Sequence, residues 1–380
     1  MDAIYRSWAE VDLNALRGNL AWLRHRVGTG VKIITVVKAD AYGHGLRQIA
    51  ALLMQSGTDV FGVANLVEAR HVREVGAGWP ILMLGSCLPQ ETELAVKDGV
   101  MPTISSLEEA HRFALAARKL KRTVEVHLKV DTGMGRLGIA PGNALELATR
   151  ITRMAGLRLV GLMTHFCAAE DDLEFSERQR DVFGDVLRTL ETAGITIPWI
   201  HAANSGALLH EPETIFTVVR PGLLVYGILP PGNRRVSSVL QKHLSPALAW
   251  KSRVSLVKTV LPGATISYGH TFTAPKKMRV ATVSAGYGDG YMRAGSNRAE
   301  VLVGGKRCRV LGRVTMDQMV VDASHLPKIA SGDEVVLIGQ QGREVITATE
   351  LAHWTGSIPW EVLTNISYRV PRIYRGGYAA

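Results

Sequence analysis

With 380 residues, the chain exceeds what one ordinary hydrophobic core supports, and its 47% hydrophobic and 21% charged residues are typical of a soluble globular protein of two domains. No apolar run could span a bilayer, and the net charge of +10 is dispersed apart from residues 118–122, a predicted solvated helix end, so neither a membrane protein nor a nucleic-acid-binding protein is indicated. Three widely spaced cysteines predict no disulfide framework and no metal site, and residues 1–10 show no signal pattern, which favours a cytoplasmic protein.

The first half of the chain alternates strands with helices. Residues 8–13 alternate as a strand does, and residues 14–27 are predicted to be helical. Eight apolar runs follow: 31–37, 60–63, 81–84, 101–104, 124–130, 157–163, 199–201 and 216–219. Helical patterns between them include 66–75, 107–120, 143–153 and 175–192. This alternation predicts parallel strands with helical crossovers, and eight strands favour a closed (β/α)8 TIM barrel over an open sheet.

The pattern changes after Gly232. Short strands between turns are predicted at 247–260, 278–283, 299–303, 307–314, 318–321 and 334–338. Gly304-Gly305 indicates a tight hairpin, and only residues 348–354 look helical. We therefore expect a barrel over residues 11–235, a linker near 230–233, and a mostly antiparallel β domain over residues 240–380 that includes the N-terminal strand, 1–10.

The most informative stretch is Val-Val-Lys-Ala-Asp-Ala-Tyr-Gly-His-Gly, residues 36–45. Lys38 lies where the first barrel strand ends, and two glycines break the chain before a helical pattern at 46–54. A lysine at the mouth of a buried strand can lose hydration and have its pKa lowered, and the neutral amine is the form that makes a Schiff base. Most strand-end lysines are ordinary surface residues, so the interpretation depends on what lies downstream.

The seventh and eighth apolar runs end in groups that suit a phosphate. One ends in His201-Ala-Ala-Asn204-Ser205-Gly206 and the other in Arg220-Pro-Gly222. Phosphate commonly binds after these strands of a (β/α)8 TIM barrel, where backbone N–H groups and a hydroxyl can donate to it. A lysine for an aldehyde and a cradle for a phosphate together predict pyridoxal phosphate.

The fifth and sixth runs supply further candidates. The fifth is followed by a glycine-rich loop, 131–138, in which Arg136 could bind a carboxylate. Lys129 is predicted to point inward, where its charge beside Arg136 would be unfavourable unless neutralised. His165 ends the sixth run. A histidine there is more often a packed residue, but its ring could also lie against a flat cofactor.

Several separated motifs, taken together, resemble the bacterial alanine racemases over almost the whole chain. They are residues 36–45 and Lys-Val-Asp-Thr-Gly-Met-Gly-Arg-Leu-Gly (129–138), His-Ala-Ala-Asn-Ser-Gly (201–206), Arg-Pro-Gly (220–222), Ser-Tyr-Gly-His-Thr-Phe (267–272), Gly-Tyr-Gly-Asp-Gly (286–290), Val-Thr-Met-Asp-Gln (314–318) and Ile-Ser-Tyr-Arg-Val-Pro-Arg (366–372). The resemblance implies a homodimer that interconverts L-alanine and D-alanine with pyridoxal 5'-phosphate and supplies D-alanine for peptidoglycan.

The resemblance also implies roles for individual residues. Lys38 would hold the cofactor as a Schiff base and serve as one base, and Tyr268 from the partner subunit would be the opposite base and contact the substrate. The cofactor would be bound by Lys38, Tyr42, His165, Asn204, Ser205, Arg220, Gly222, Leu223 and Tyr368, with Arg220 facing the pyridine nitrogen. The substrate carboxylate would be bound by Arg136 and the backbone at Met316. Supporting positions would be Lys129 (carbamylated and paired with Arg136), His201, Tyr287 and Asp317. From sequence alone, Tyr368 is expected to be an ordinary strand residue and Tyr268 and Tyr287 strand-end or turn aromatics.

Three other functions are compatible with these residues. One is a decarboxylase of a basic amino acid on the same architecture, although Ser-Tyr-Gly-His (267–270) stands where such enzymes would be expected to carry a cysteine-bearing motif. Another is a racemase of broader specificity, because alanine and serine differ only by a hydroxyl. The third is a non-enzymatic pyridoxal-phosphate carrier, which would resemble the barrel alone; the long second half argues against it.

Overall fold

The computed structural model of the chain describes residues 5–210, 215–230 and 242–377. These residues form two compact units, one made of 5–15, 42–44 and 246–377 and the other of 16–41, 45–210, 215–230 and 242–245. The predicted linker residues 231–233 and the predicted strand residues 1–4 lie outside the described part of the chain. Within that part, no helix is long and apolar enough to cross a membrane.

The first two elements are β1, Ser7–Asp12, and α1, Leu13–Val27. The helix begins where it does because Asp12 Oδ1 accepts the free N–H groups of Asn14 and Ala15, at 2.8 and 3.1 Å. Both elements lie within one residue of their predicted bounds.

The unit that contains residues 45–210, here called the barrel unit, contains an eight-stranded, all-parallel sheet. This sheet confirms the predicted barrel class. Its strands are β2 Lys32–Val36, β3 Val60–Val63, β4 Ile81–Met83, β5 Met101–Ile104, β6 Val124–Lys129, β7 Leu157–Met163, β8 Trp199–His201 and β9 Val218–Val219. The spatial order runs from β8 through β7 to β2 and then β9. The terminal strands are bridged by Thr217 Oγ1, which accepts the Ile200 N–H at 2.7 Å, and by the Arg220 N–H, which donates to Ala203 O at 2.9 Å.

Aliphatic side chains from five of these strands form a common core cluster: Ile34, Val60, Leu82, Met101 and Val218. The helices that follow the strands bury one face each, as their 3.6-residue apolar period predicts. They are α2 Lys38–Gly43, α3 Leu46–Met54, α4 Leu66–Val75, α5 Thr92–Lys97, α6 Leu107–Lys119, α7 Ala144–Thr152, α8 Leu173–Thr192 and α9 Ser205–His210. Short 3-10 turns lie at Pro89–Glu91 and Pro141–Asn143.

The unit that contains residues 246–377, here called the β unit, contains a nine-stranded sheet. Counted over the described residues, its strands lie in the order β18-β17-β14-β15-β16-β13-β10-β1-β19, with the bounds given next. Besides β1, its strands are β10 Leu248–Val260, β13 Met278–Val283, β14 Glu300–Val303, β15 Lys306–Leu311, β16 Met319–Asp322, β17 Glu334–Gln341, β18 Glu344–Ile346 and β19 Arg372–Arg375. A small separate ribbon is formed by β11 Thr265–Ile266 and β12 Phe272–Thr273. Only the β1–β19 pair is parallel among the pairs of the nine-stranded sheet, so the predicted antiparallel character is confirmed.

The predicted hairpin at Gly304-Gly305 is also confirmed. Val303 pairs with Lys306, and the two glycines between them have φ of 57° and 71°, which side chains rarely adopt. The expectation of a single helix in this half was wrong, because α11, Pro359–Thr364, follows α10, Ala348–Thr355. Pro359 stands at the start of α11, where the missing N–H has no helical partner to lose.

Candidate active site

Lys38 follows the end of β2, as predicted, and opens a short helix of unusual hand. Four successive non-glycine residues of α2 have left-handed backbone angles: φ is 52° at Ala39, 54° at Asp40, 53° at Ala41 and 54° at Tyr42. For residues with a side chain this conformation costs about 1–2 kcal/mol each. Such strain persists only where surrounding contacts determine the backbone, and it is concentrated at functional sites.

The contacts that hold the start of this helix are hydrogen bonds to carboxylates. The Ala39 N–H donates to Glu68 Oε1 at 2.8 Å, and the Leu46 N–H donates to Asp40 Oδ1 at 2.7 Å. Glu68 also accepts the N–H of Ala64 at 2.7 Å through its other oxygen. The backbone next to Lys38 is therefore fixed by side chains rather than by helix propensity.

The end of α2 requires glycine. Gly43 has a φ of 79°, and a Cβ at this position would lie 2.3 Å from the carbonyl oxygen of Leu363. Arg372 Nε donates to the Gly43 carbonyl at 2.9 Å, and the Tyr374 hydroxyl donates to the His44 carbonyl at 3.1 Å. Tyr42 itself is buried just before this point.

The Lys38 amine is half-buried in a cationic environment. Burial lowers its pKa, and the charges of Arg136 and Arg220 lower it further, while Glu68 acts in the opposite direction. These effects favour the neutral amine, which is the nucleophilic and basic form of a lysine.

Arg220 follows β9 and is only 3% exposed. Its Nη1 donates to His201 Nδ1 at 2.6 Å, and its Nη2 donates to the carbonyl oxygens of Thr164 and Ala202 at 2.7 and 2.9 Å and to His165 Nδ1 at 3.2 Å. Burial lowers the pKa of Arg220 to about 9, which still leaves the guanidinium charged at neutral pH. The Arg220 side chain thus donates to two histidine nitrogens and two carbonyl oxygens, and among the described residues no carboxylate neutralises this buried, fixed positive charge.

The turns after β8 and β9 come together around one hydroxyl. Ser205 Oγ accepts the N–H of Gly222 at 2.9 Å and that of Leu224 at 3.4 Å. Asn204 caps the short helix α9 by accepting the Ala207 N–H at 3.0 Å. Since a hydroxyl that accepts hydrogen bonds keeps one O–H to donate, Ser205 can bind a phosphate oxygen while it holds the two turns together.

Leu223 is fully buried between Gly222 and Leu224. Its backbone carbonyl accepts the N–H groups of Tyr226 at 3.0 Å and Ile228 at 3.1 Å. The predicted phosphate residues of the second turn therefore belong to a compact backbone turn.

Lys129 ends β6 and is 3% exposed. Burial lowers its pKa to about 8, and the charges of Arg220 and Arg136 contribute to this. Asp131 is the opposing charge nearby, and its carboxylate also shapes the following loop by accepting N–H groups of Gly133 and Gly135 at 3.0 Å. Arg136 extends into solvent from this loop.

The predicted site residues in the β unit are strongly exposed, in contrast to those of the barrel. Tyr268 is 73% exposed, Tyr287 44%, Met316 53% and Tyr368 95%. Tyr268 and Tyr287 lie in 3-10 turns, Tyr268–His270 and Tyr287–Asp289, as expected. Tyr368 lies in a turn, so its predicted strand position was wrong; Arg369 and Val370 turn the chain before β19 begins at Arg372.

Tyr287, Met316 and Asp317 belong to one arrangement of loops. The Tyr287 N–H donates to Thr315 O at 2.9 Å, and the Gly288 N–H donates to Met316 O at 2.8 Å. Asp317 accepts a hydrogen bond from Arg369 Nη2 at 2.7 Å. Backbone and ion-pair contacts thus bring three of the predicted residues together in this unit.

Two family models match the chain. The alanine racemase N-terminal domain matches residues 11–230, and the alanine racemase C-terminal domain matches residues 247–374. The chain belongs to the alanine racemase family. An alanine racemase of Carboxydothermus hydrogenoformans is 43% identical over 97% of this chain and 99% of its own length, and one of Halothermothrix orenii is 40% identical over 97% of both chains.

Solved alanine racemases share the fold. The enzyme of Streptomyces lavendulae has a TM-score of 0.92 at 36% identity and covers 99% of both chains. The enzyme of Bartonella henselae, solved with covalently bound pyridoxal phosphate, has a TM-score of 0.88 at 27% identity and covers 98% of this chain and all (100%) of that one.

Two residues that contact the candidate site were not singled out from the sequence. Glu68 lies in the first turn of α4 and orients the backbone beside Lys38; as an acidic residue at a helix start it looked ordinary. His127 lies within β6 and contacts His201. The available signal was its spacing, because residues two apart on a strand share a face, and His127 is two residues before Lys129.

Proposed function

We propose that this protein interconverts L-alanine and D-alanine with pyridoxal 5'-phosphate as its cofactor, using Lys38 and Tyr268 as opposing bases. The observation that carries the proposal is a strand-end lysine with a lowered pKa in a unit that also holds a buried, charged arginine, Arg220. Membership of the alanine racemase family supports the substrate.

The residues at the ends of the barrel strands fit this cofactor. Lys38 offers an amine for its aldehyde, and Ser205 offers a hydroxyl donor for its phosphate. We propose these contacts for the cofactor: Lys38, Tyr42, His165, Asn204, Ser205, Arg220, Gly222, Leu223 and Tyr368. When bound, pyridoxal phosphate withdraws electrons from the substrate Cα–H bond and makes that hydrogen acidic.

Racemisation needs one base on each face of the substrate Cα, so that a proton removed from one side is returned on the other. The lowered pKa of Lys38 supports its role as the first base, since a neutral amine can accept a proton. A phenol loses its proton more readily beside a positive charge, so Tyr268 needs such a charge nearby to act as the second base. We propose that a second copy of the chain supplies this environment through its barrel, which carries Arg136 and Arg220.

The homodimer proposed here has a physical basis in the exposed side chains of the β unit. Tyr268, Tyr287, Met316 and Tyr368 present apolar area to solvent. We propose that they belong to one contact surface, since contiguous exposed apolar area marks such surfaces. In this proposal the barrel, residues 11–235, binds the cofactor, and the β domain, residues 240–380 with strand residues 1–10, delivers the second base to the partner.

Arg220 favours racemisation over other reactions of the same cofactor. A guanidinium does not readily give up a proton, so Arg220 would withhold one from the pyridine nitrogen. With the cofactor bound, electron withdrawal from Cα would then be limited, which would favour return of the proton to Cα and disfavour transamination.

For the substrate, we propose that Arg136 and the backbone at Met316 bind the carboxylate. A carbamylated Lys129 would pair with Arg136; its lowered pKa supports this, because only the neutral amine reacts with carbon dioxide. Tyr287 would narrow the entrance, Asp317 would support Met316, and His165 and His201 would link Tyr268 to Arg220. We further propose a cytoplasmic protein that supplies D-alanine for peptidoglycan; its three free cysteines suit a reducing compartment.

The decisive experiment is incubation of the cofactor-loaded protein with L-alanine in deuterated water. We expect Cα deuterium exchange and D-alanine, and no carbon dioxide. Carbon dioxide without the D-isomer would identify a decarboxylase, and a bound chromophore without turnover would identify a carrier. L-serine in a parallel reaction measures breadth: a kcat/KM close to that for alanine would replace the alanine-specific proposal with a broader racemase.

Borohydride reduction followed by peptide mapping tests the anchoring residue. The label is expected on the peptide that contains Lys38. A label on Lys129 or another lysine would contradict the assignment of Lys38.

A further inference from the structure

A row of three buried side chains runs from Arg220 into the interior of the barrel unit. Arg220 Nη1 lies 2.6 Å from His201 Nδ1, and His201 Nε2 lies 2.8 Å from His127 Nδ1. Both histidines are fully buried. The row begins at the proposed cofactor site and ends at His127, whose ring packs against Trp199.

The chemistry of arginine fixes the direction of every hydrogen bond in this row. A guanidinium has only N–H donors and no acceptor, so His201 Nδ1 must accept from Arg220. A neutral imidazole that accepts at one nitrogen carries its hydrogen on the other. His201 therefore donates from Nε2 to His127 Nδ1, and His127 in turn carries its own hydrogen on Nε2.

Within the described part of the chain, that last hydrogen has no acceptor. Among the described residues, His127 Nε2 is buried and makes no hydrogen bond, and the edge of the ring packs against Trp199, with ring centroids 5.5 Å apart. An apolar residue would fill this space without burying an unpaired N–H group. An apolar residue would, however, lack an acceptor for the hydrogen bond from His201, which Nδ1 of His127 provides.

The backbone beside His127 is shaped for an imidazole. A Cβ on Gly161, in the neighbouring strand β7, would lie 2.0 Å from His127 Nδ1. Because Gly161 has no side chain, the His127 ring can occupy the position in which its Nδ1 accepts a hydrogen bond from His201. Burial and the charge of Arg220 lower the pKa of His127 to about 3, which keeps the ring neutral and Nδ1 free to accept.

We propose that His127 is a positioning residue for the cofactor site: its Nδ1 accepts the His201 Nε2–H, which keeps His201 in the tautomer whose Nδ1 accepts from Arg220, and so orients the Arg220 guanidinium. His127 acts through His201 and has no contact of its own with substrate or cofactor. The hydrogen-bond directions follow from the geometry alone, whereas the effect on turnover rests on the proposed function.

The tautomers are measured directly by ¹⁵N NMR of histidine-labelled protein, with and without pyridoxal phosphate. We expect His201 and His127 both to carry hydrogen on Nε2 and to accept at Nδ1 at neutral pH. A hydrogen on Nδ1 of either ring in the wild-type protein would overturn the proposal, whatever any variant does.

Two substitutions separate the acceptor from the space it fills. In His127→Asn the amide oxygen can take the place of Nδ1, whereas His127→Phe fills the space without an acceptor. His127→Phe should lower kcat about tenfold, as the loss of a buried partner implies, with KM for alanine within about twofold. It should also shift the absorbance of the bound cofactor and alter the ¹⁵N signals of His201.

His127→Asn should restore kcat to within about threefold of wild type, together with the cofactor absorbance and the His201 signals. His111→Phe, on the exposed face of α6, is the matched control and should change none of these readouts. Equal kcat, absorbance and His201 signals in His127→Phe and wild type would refute the positioning role. Absence of racemase activity in the wild-type protein would refute the proposed function, and the NMR result would still decide the tautomers.

Discussion

The two units of this chain present their predicted site residues in opposite ways. The barrel residues Lys129, His201, Ser205 and Arg220 are buried. The last three also form hydrogen bonds within the same unit. In the β unit, Tyr268 and Tyr368 are among the most exposed large side chains. The barrel residues are therefore ordered by their own fold, whereas the exposed tyrosines would gain a defined environment in the proposed dimer.

The largest effect is expected from Lys38→Ala, which removes the first base from the ordered barrel site. Turnover should fall by about 10⁴-fold, the upper range for loss of an acid–base group, and the absorbance of the lysine-bound cofactor should vanish. Lys32→Ala, at the exposed start of the same strand, is the matched control and should keep both. A Lys38→Ala variant that retains colour and turnover would rule out the assignment.

Tyr268→Phe tests the exposed half of the comparison. We expect a loss of about 10²–10⁴-fold in one direction of proton transfer, measured as isotope exchange from each alanine enantiomer separately. Thermal stability should be unchanged, because phenylalanine keeps the aromatic ring and removes only the hydroxyl. Equal losses from both enantiomers would contradict a base that serves one face.

Mixing the two inactive variants tests whether the tyrosine acts across copies. In a symmetric dimer, random exchange of Lys38→Ala with Tyr268→Phe subunits should restore roughly a quarter of wild-type activity, since half of the dimers are mixed and each has one intact site. No recovery after demonstrated subunit exchange would place both residues of a site in one chain.

Lys129 provides a pH test of burial in the barrel. Its pKa falls from 10.5 to about 8 on folding, so the unfolded chain binds more protons than the folded one between these values. The destabilisation that Lys129 contributes has its full value below about pH 8 and disappears as the pH rises towards 10.5. In buffer free of carbon dioxide, the free energy of unfolding of wild type relative to Lys129→Met should therefore rise by about 3 kcal/mol across this window.

Urea unfolding of both proteins at several pH values measures this difference. A constant difference across the window would mean that Lys129 does not titrate there. Carbon dioxide should suppress the effect if the amine is carbamylated, and ¹³C-labelled bicarbonate should then give a carbamate signal that Lys129→Met lacks.

The smallest expected effect concerns the left-handed helix beside Lys38. Gly43→Ala should lower the free energy of unfolding by about 2 kcal/mol more than Gly28→Ala, which has a similar φ (82° against 79°) but no atom within 4 Å of the new Cβ. The difference isolates the clash with the Leu363 carbonyl. Equal losses in chemical denaturation would show that the backbone at Gly43 relaxes freely.

Much of the fold was predictable because it follows from local patterns. All eight barrel strands appear where apolar runs predict them, and helix α4 has the predicted bounds, since Asn65 caps it by accepting the Glu68 N–H at 3.0 Å. The hairpin at Gly304-Gly305 follows from backbone angles that glycine alone adopts readily. These features depend on a few neighbouring residues, which the sequence shows directly.

What could not be predicted depends on contacts between distant residues. The left-handed course of residues 39–42 contradicts their local preferences and is imposed by partners such as Glu68. His127 gained its interest only when His201, 74 positions away, proved to be its partner. The roles assigned to Tyr268 and Arg136 stay predictions, because both side chains are exposed and their proposed partners belong to the substrate or to a second copy of the chain.

The hand of α2 reverses the usual rule for glycine substitutions. Glycine at position 39 or 41 would relieve the strain of the left-handed backbone. The alanines present there therefore lower the stability of the fold but restrict the backbone more than glycine would. A lysine mounted on such a support has few alternative backbone orientations. Thermostabilising this protein by conventional helix optimisation should therefore spare residues 39–42, since the same strain that weakens the fold restrains the direction in which the amine is presented.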